Sequence, residues 1–219
     1  MKKQKLTIML MVMLMFIGFG IVIPVLPHVV TEEIQASDIH VQIMLAVYSL
    51  ASFLVSPLWG ALSERIGRKP ILMIGMAGFS LSFLVFALAV YWNQHNLLND
   101  DASLILMYVS RTLSGLFSGA TIAVAMAYMA DITTDDERTK GMGLIGMSIG
   151  MGFIFGPGIG GLLAFEDFYS LPFFVSAGLS LFTMVLAWSW LQESLTAERR
   201  AVEQQQRALQ KTSRWAAFQ

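Results

Sequence analysis

The sequence predicts an all-α membrane protein of six transmembrane helices arranged as a 3+3 inverted repeat. Composition is the first reason: 56% of the 219 residues are hydrophobic and only 13% are charged, against about 25% charged in a soluble domain. The second is a set of six apolar stretches, near residues 6–27, 41–62, 71–91, 104–130, 141–164 and 171–192. Each approaches the roughly 20 residues that cross a bilayer as a helix, and an open strand would leave its backbone unsatisfied in lipid. The third is internal repetition. A shift of 100 residues lays SPLWGAL (56–62) over GPGIGGL (156–162) and AGFSLSFLVFA (77–87) over AGLSLFTMVLA (177–187). Spans 2 and 3 thus resemble spans 5 and 6, and with three spans between them the partners cross in opposite directions. Spans 1 and 4 show no such match.

Span 1 follows MKKQK, which looks like the charged start of a secretory signal. Its apolar run is too long and no small-x-small cleavage site follows, so it is expected to remain as a span. Met9, Met11, Met13 and Met15 recur every two residues, which scatters them around a helix and suggests lipid-facing filler. Basic residues cluster at Lys2, Lys3 and Lys5, at Arg65, Arg68 and Lys69 after span 2, at Arg138 and Lys140 after span 4, and from Arg199 to Arg214 in the tail. Residues 28–40, 92–103 and 165–170 carry none, so both termini are expected in the cytoplasm, with the protein in the inner membrane of a cell. The net charge of −1 hides this asymmetry. Nothing points to a nucleic-acid partner, and the lack of cysteine excludes disulfides. A phosphate loop, a metal cluster and a nucleophile triad are all absent from the sequence, so no enzyme, cofactor or metal is expected.

GALSERIGRKP (60–70) joins spans 2 and 3. A short connection between packed helices needs glycine to turn, and its charges can form pairs present in only one of two rocking states. This stretch resembles the signature G-x-L-x-D-R-x-G-R-[RK] of the major facilitator superfamily, with Gly60, Leu62, Arg65, Gly67, Arg68 and Lys69 in place and Glu64 where the family usually has Asp. The longer reach of Glu64 alters the ion-pair geometry. The resemblance implies that an acid at the end of span 4 joins this network, and Asp131 stands there. The alternative is a plain positive-inside tether.

GMSIGMGFIFGPGIGGLL (146–163) puts Gly152, Gly156 and Gly160 on one helix face, as in seams that let two helices approach closely. Pro157 removes one backbone hydrogen bond and bends the span. The stretch resembles the fifth-span motif G-x-x-x-G-P-x-x-G-G of the superfamily's exporters, chiefly proton antiporters, matching Gly156, Pro157, Gly160 and Gly161. A smooth, bent face suits a helix that slides on its neighbour; static packing is the alternative. Arg111 is the lone basic residue outside the positive clusters. A charge inside a span costs about 2.5–3.5 kcal/mol on insertion scales and is expected to face a cavity or a partner, unless it snorkels to the headgroups. With Gly115 in register it resembles the family's R-x-x-x-G motif, which implies a place on the central cavity and a role in proton transfer and substrate coupling.

Coupling to protons needs a titrating group in the cavity, yet no span carries Asp or Glu in its interior. Where tetracycline exporters have an Asp in span 1, this chain has Met15. Span 1 looks more like that of multidrug exporters of the quinolone-resistance type, whose coupling acids lie in a second six-helix half. His28, His40 and His95 fall in or beside outer loops, where a solvated role is expected. By resemblance the cavity wall includes Phe16, Ile23, Tyr48, Ser52 and Phe153. Its aromatic faces suit flat, lipophilic, often cationic drugs, with cation–π energies of roughly 0.5–2 kcal/mol.

After Leu191 the composition turns polar, giving a six-helix bundle at 1–192 and a cytoplasmic helical linker at 193–219. The resemblance as a whole implies the N-terminal half of a major facilitator fold, exporting drugs in exchange for protons by alternating access. Its partners would be a lipophilic substrate, protons, the bilayer and a second six-helix half, covalent or separate. The alternatives are an uptake symporter of the same superfamily and a non-transporting half that serves as an assembly or regulatory partner.

Overall fold

A computed structural model of the chain describes residues 2–164 and 168–195. Its long helices are α1 (Lys2–His28), α2 (Ile39–Ile66), α3 (Arg68–Gln94), α4 (Asp100–Asp131), α5 (Asp135–Leu163) and α6 (Leu171–Trp190). All six are long and apolar enough to cross a membrane. Polar residues at their ends extend most of them by a few residues beyond the apolar stretches.

Two connections differ from the expected loops. α1 runs through Pro24 and Pro27 and continues as a π-helical turn, Val29–Glu33. The wider turn still supplies donors to the carbonyls of Val29 and Val30, from the N–H groups of Ile34 and Ala36. Between α2 and α3 the loop shrinks to one residue, Gly67, at φ 122° and ψ 156°. An L side chain rarely adopts that conformation, so only glycine joins the two helices without strain.

The helices form a chain of neighbours: α5 lies on α1, α1 on α6, α6 on α3, α3 on α4, and α4 on α2. Exchanging α1 with α4, α2 with α5 and α3 with α6 maps each of these major contacts onto another, as an inverted repeat requires. Spans 1 and 4, unalike in sequence, are therefore equivalent in packing. The core sits among α1, α3, α4 and α6, where Phe86 stacks on Phe173 at 4.4 Å and Phe79 meets Phe83 edge-on at 4.7 Å. Met11 and Met15 belong to it, each 1% exposed. This corrects the lipid-facing expectation for those two, because residues four apart share a helix face. α2 and α5 are the least buried helices and lie at the two ends of the contact chain.

One end of the bundle is basic. The other carries Glu32, Glu33, Asp38, Asp100 and Asp101, with no Lys or Arg among the described residues. There Asn99 caps α4 by accepting from the N–H of Ala102 at 3.1 Å, and Asp100 and Asp101 favour the helix N-terminus. Residues 196–219, most of the expected linker helix, lie outside the described residues.

Candidate functional site

At the basic end, the turn through Gly67 sets Arg68 against the last residue of α4. The Arg68 Nε donates to Asp131 Oδ2 at 3.1 Å and its Nη1 donates to Ser63 Oγ at 2.6 Å. Gly67 gives the start of α3 no side-chain cap. Glu193 provides one from a distance, accepting the backbone N–H of Arg68 at 2.8 Å and of Lys69 at 3.2 Å. A side chain at Gly67 would collide with that carboxylate. Ser194 Oγ donates to Asp131 Oδ2 at 2.9 Å, Tyr128 Oη donates to the Gln192 carbonyl at 2.7 Å, and Lys69 Nζ donates to the Trp188 carbonyl at 2.8 Å. The signature stretch is thus bolted to the ends of both α4 and α6. Lys5 Nζ donates to Glu137 Oε2 at 2.5 Å, tying α1 to α5 at the same end.

Arg68 and Asp131 are brought together as the sequence suggests. Glu64 is half-buried on the last turns of α2, Arg65 is exposed, and Gly60 faces open space. Sequence reasoning does not reach Glu193 or Ser194. The one signal they give is their position as the first acid and first hydroxyl after the last span, and nothing local says that they reach back across the chain.

The glycines of α5 are buried on α1. A Cβ at Gly156 would lie 2.6 Å from Gly20 Cα, and one at Gly20 would lie 2.9 Å from Gly156 Cα. Gly152 meets Phe16 and Ile17 in the same way, and Gly160 meets Ile21. Backbone on both sides leaves nothing that could give way. Pro157 sits beside Gly20 in this seam. Gly161 lies off it, lining a cavity of about 270 Å³ with His28 and Tyr169. The symmetry-related seam uses Gly115 and Gly119 of α4 against the backbone of Tyr48 and Ser52 of α2.

Next to the α1–α5 seam stands an aromatic wall. Phe16 lies 5.3 Å from Phe153, Phe153 lies 6.0 Å from Phe19, and Phe19 stacks on Tyr48 at 5.0 Å between ring centroids. Four rings therefore link α5, α1 and α2. Phe153 is 43% exposed, as is 40% of Ile23, one turn beyond Phe19. Ser52 is half-buried, its Oγ accepting from Ser118 at 3.5 Å. Phe19 is absent from the residues singled out in the sequence; its signal is the i, i+3, i+7 spacing of 16, 19 and 23.

Arg111, expected on the central cavity, is deeply buried in α4. It is 1% exposed, with its guanidinium 5.2 Å from the ring centre of Phe83 and 4.6 Å from that of Phe86, both on α3. The negative faces of these rings attract the cation. They hold it between α3 and α4, where its charge also acts on the Tyr48 hydroxyl of the aromatic wall.

The sequence pattern of the Major Facilitator Superfamily matches residues 8–218. Over 179 residues the chain is 36% identical to the tetracycline resistance protein, class B, of Escherichia coli, covering 81% of this chain and 41% of that protein. It is 34% identical to multidrug resistance protein 2 of Bacillus subtilis strain 168 over 84% of this chain and 43% of that protein. It is 30% identical to the quinolone resistance protein NorA of Staphylococcus aureus strain N315, over 85% and 45%. Among solved structures, the human organic anion transporter MFSD10 (TETRAN) superposes with a TM-score of 0.73 at 22% identity, over 91% of this chain and 49% of that one. The proton:xylose symporter XylE superposes with a TM-score of 0.69 at 16% identity, over 88% and 46%. The chain spans less than half the length of each of these relatives. By fold, by helix order and by sequence, it belongs to the Major Facilitator Superfamily.

Proposed function

We propose that the chain forms the amino-terminal half of a proton-coupled exporter that moves hydrophobic, often cationic drugs out of the cell by alternating access. The observation that carries this reading is the wall of Phe16, Phe19, Tyr48 and Phe153 on the two least buried helices and α1. Such a surface binds flat rings by stacking and cations by their attraction to ring faces. The names of its relatives, which include tetracycline, multidrug and quinolone resistance proteins, fit planar aromatic substrates.

In this reading the basic end is cytoplasmic, and the Arg68–Asp131–Glu193 network is a latch that holds in one rocking state and releases in the other. The glycine seam lets α5 slide on α1. A second six-helix half, covalent or separate, supplies the carboxylates that titrate. Arg111 takes part in proton and substrate coupling from its buried place beside Tyr48.

Ethidium efflux from cells expressing the 219-residue chain, with and without a protonophore, tests the proposal once membrane insertion is verified. Efflux abolished by the protonophore supports it. Accumulation driven by the proton gradient would identify an uptake symporter instead. Inserted protein that moves nothing in either direction would leave the chain, by itself, the role of an assembly or regulatory partner.

A further inference from the structure

Arg111 is buried with no hydrogen-bond partner for its Nε or Nη2 among the described residues. Cation–π attraction does not fill those donors, and burying a polar group without a hydrogen-bond partner is unfavourable. Three other buried polar atoms at or beside the α3–α4 interface share this condition: Ser114 Oγ, Ser103 Oγ and Gln94 Oε1. Ser103, Arg111 and Ser114 are each at most 1% exposed, and their helical spacing places them on one side of α4.

The register orders these atoms. Ser110 Oγ donates to the Ser82 carbonyl at 2.6 Å, which sets residues 82 and 110 side by side on antiparallel helices. Gln94, at the far end of α3, then draws level with the start of α4, and Ser103 falls between Gln94 and Arg111. An arginine on a helix leans toward the helix N-terminus, here toward Ser103. Phe86 lies nearer the acidic end than Phe83 and is the closer of the two rings to the guanidinium. Gln94 also lines a cavity of about 510 Å³ at the acidic end, with Glu33, Asn93, Asn96, Asn99 and Asp100. The orphaned atoms thus form a row from an open polar cavity to the buried cation.

We infer that water molecules occupy this row, entering from the acidic-end cavity and reaching Arg111 past Gln94 and Ser103. A buried water makes about three hydrogen bonds to groups otherwise unsatisfied, and this row offers both donors and acceptors. The file lets the guanidinium keep its charge inside a bundle whose spans contain no interior acid. It also connects Arg111 to solvent without passing the aromatic wall.

X-ray radiolysis of the chain in lipid nanodiscs, read by mass spectrometry, tests this independently of any transport activity. Hydroxyl radicals born from bound water oxidise adjacent methionine to the sulfoxide. Met107 lies on the same α4 face between Ser103 and Ser110 and is 0% exposed; Met76 and Met129 are equally buried toward the basic end. Oxidation of Met107 is expected to outpace that of Met76 and Met129 roughly tenfold. Equal protection of all three would overturn the file. Leu97→Trp, at an exposed position lining the cavity, is expected to slow Met107 oxidation severalfold and leave Met76 and Met129 unchanged. An unaltered Met107 rate would overturn entry from the acidic end.

Discussion

Single residues divide into those whose job is stated by their type and those whose job depends on a distant neighbour. Gly156 is of the first kind. Its place in a four-residue glycine repeat marks a close helix approach, and Gly20 Cα would lie 2.6 Å from any Cβ added there. Gly156→Ala is expected to destabilise the bundle by about 1–3 kcal/mol, the usual cost of overpacking. Gly158→Ala, with nothing within 4 Å, is expected to raise stability slightly by improving helix propensity, by up to about 1 kcal/mol. Thermal unfolding of the two variants in the same detergent checks the contrast; a similar loss in both would mean that glycine matters here for flexibility and not for space. Glu193 is of the second kind, since nothing in QESLT marks it as the cap of a helix that begins at Arg68. Glu193→Ala is expected to cost about 0.5–2 kcal/mol, the range for losing a helix cap. A melting temperature unchanged from the parent would remove Glu193 from the latch.

At the scale of elements, helix count and approximate limits are readable because apolar length is dictated by the bilayer. The connections are less so. The signature stretch looks like a loop because it is charged, yet it is helix on both sides of Gly67, since Arg68, Lys69 and Glu193 satisfy the ends that a loop would otherwise leave to water. Arg111 shows the same limit: its charge flags it in a span, but its burial turns on Phe83 and Phe86, which belong to another helix. The Arg68–Asp131 pair offers a test that separates a latch from a simple topological tether. Arg68 makes two directed contacts with one guanidinium, a geometry that lysine cannot copy. Arg68→Lys keeps the positive charge, so a tether would be unaffected in both topology and stability. A latch predicts unchanged topology with a clear drop in melting temperature, and Asp131→Ala is expected to cost up to about 3–5 kcal/mol by leaving Arg68 buried and unpaired.

For the whole molecule, the inverted repeat is legible where two glycine- and proline-bearing spans align and invisible where α1 meets its equivalent α4, because lipid and core accept many apolar sequences for one packing role. The open surfaces of α2 and α5 are not legible at all, since an apolar residue facing lipid and one facing another bundle have the same composition; Phe53 is 75% exposed and Ile154 is 72% exposed. Charge, by contrast, is segregated cleanly. Lys and Arg gather at one end, while Glu32, Glu33, Asp38, Asp100 and Asp101 stand at the other without a Lys or Arg among the described positions. The positive-inside rule predicts from this an orientation with the basic end in the cytoplasm. The chain's lack of cysteine makes this directly testable with single replacements at exposed sites. Asp101→Cys is expected to react with a membrane-impermeant maleimide on intact cells, and Thr139→Cys only after the cells are permeabilised. The reverse pattern would place the Arg68–Asp131–Glu193 network outside the cell. A latch on that side would close against the outside, and the proposed direction of drug movement would have to be argued again from the opposite face.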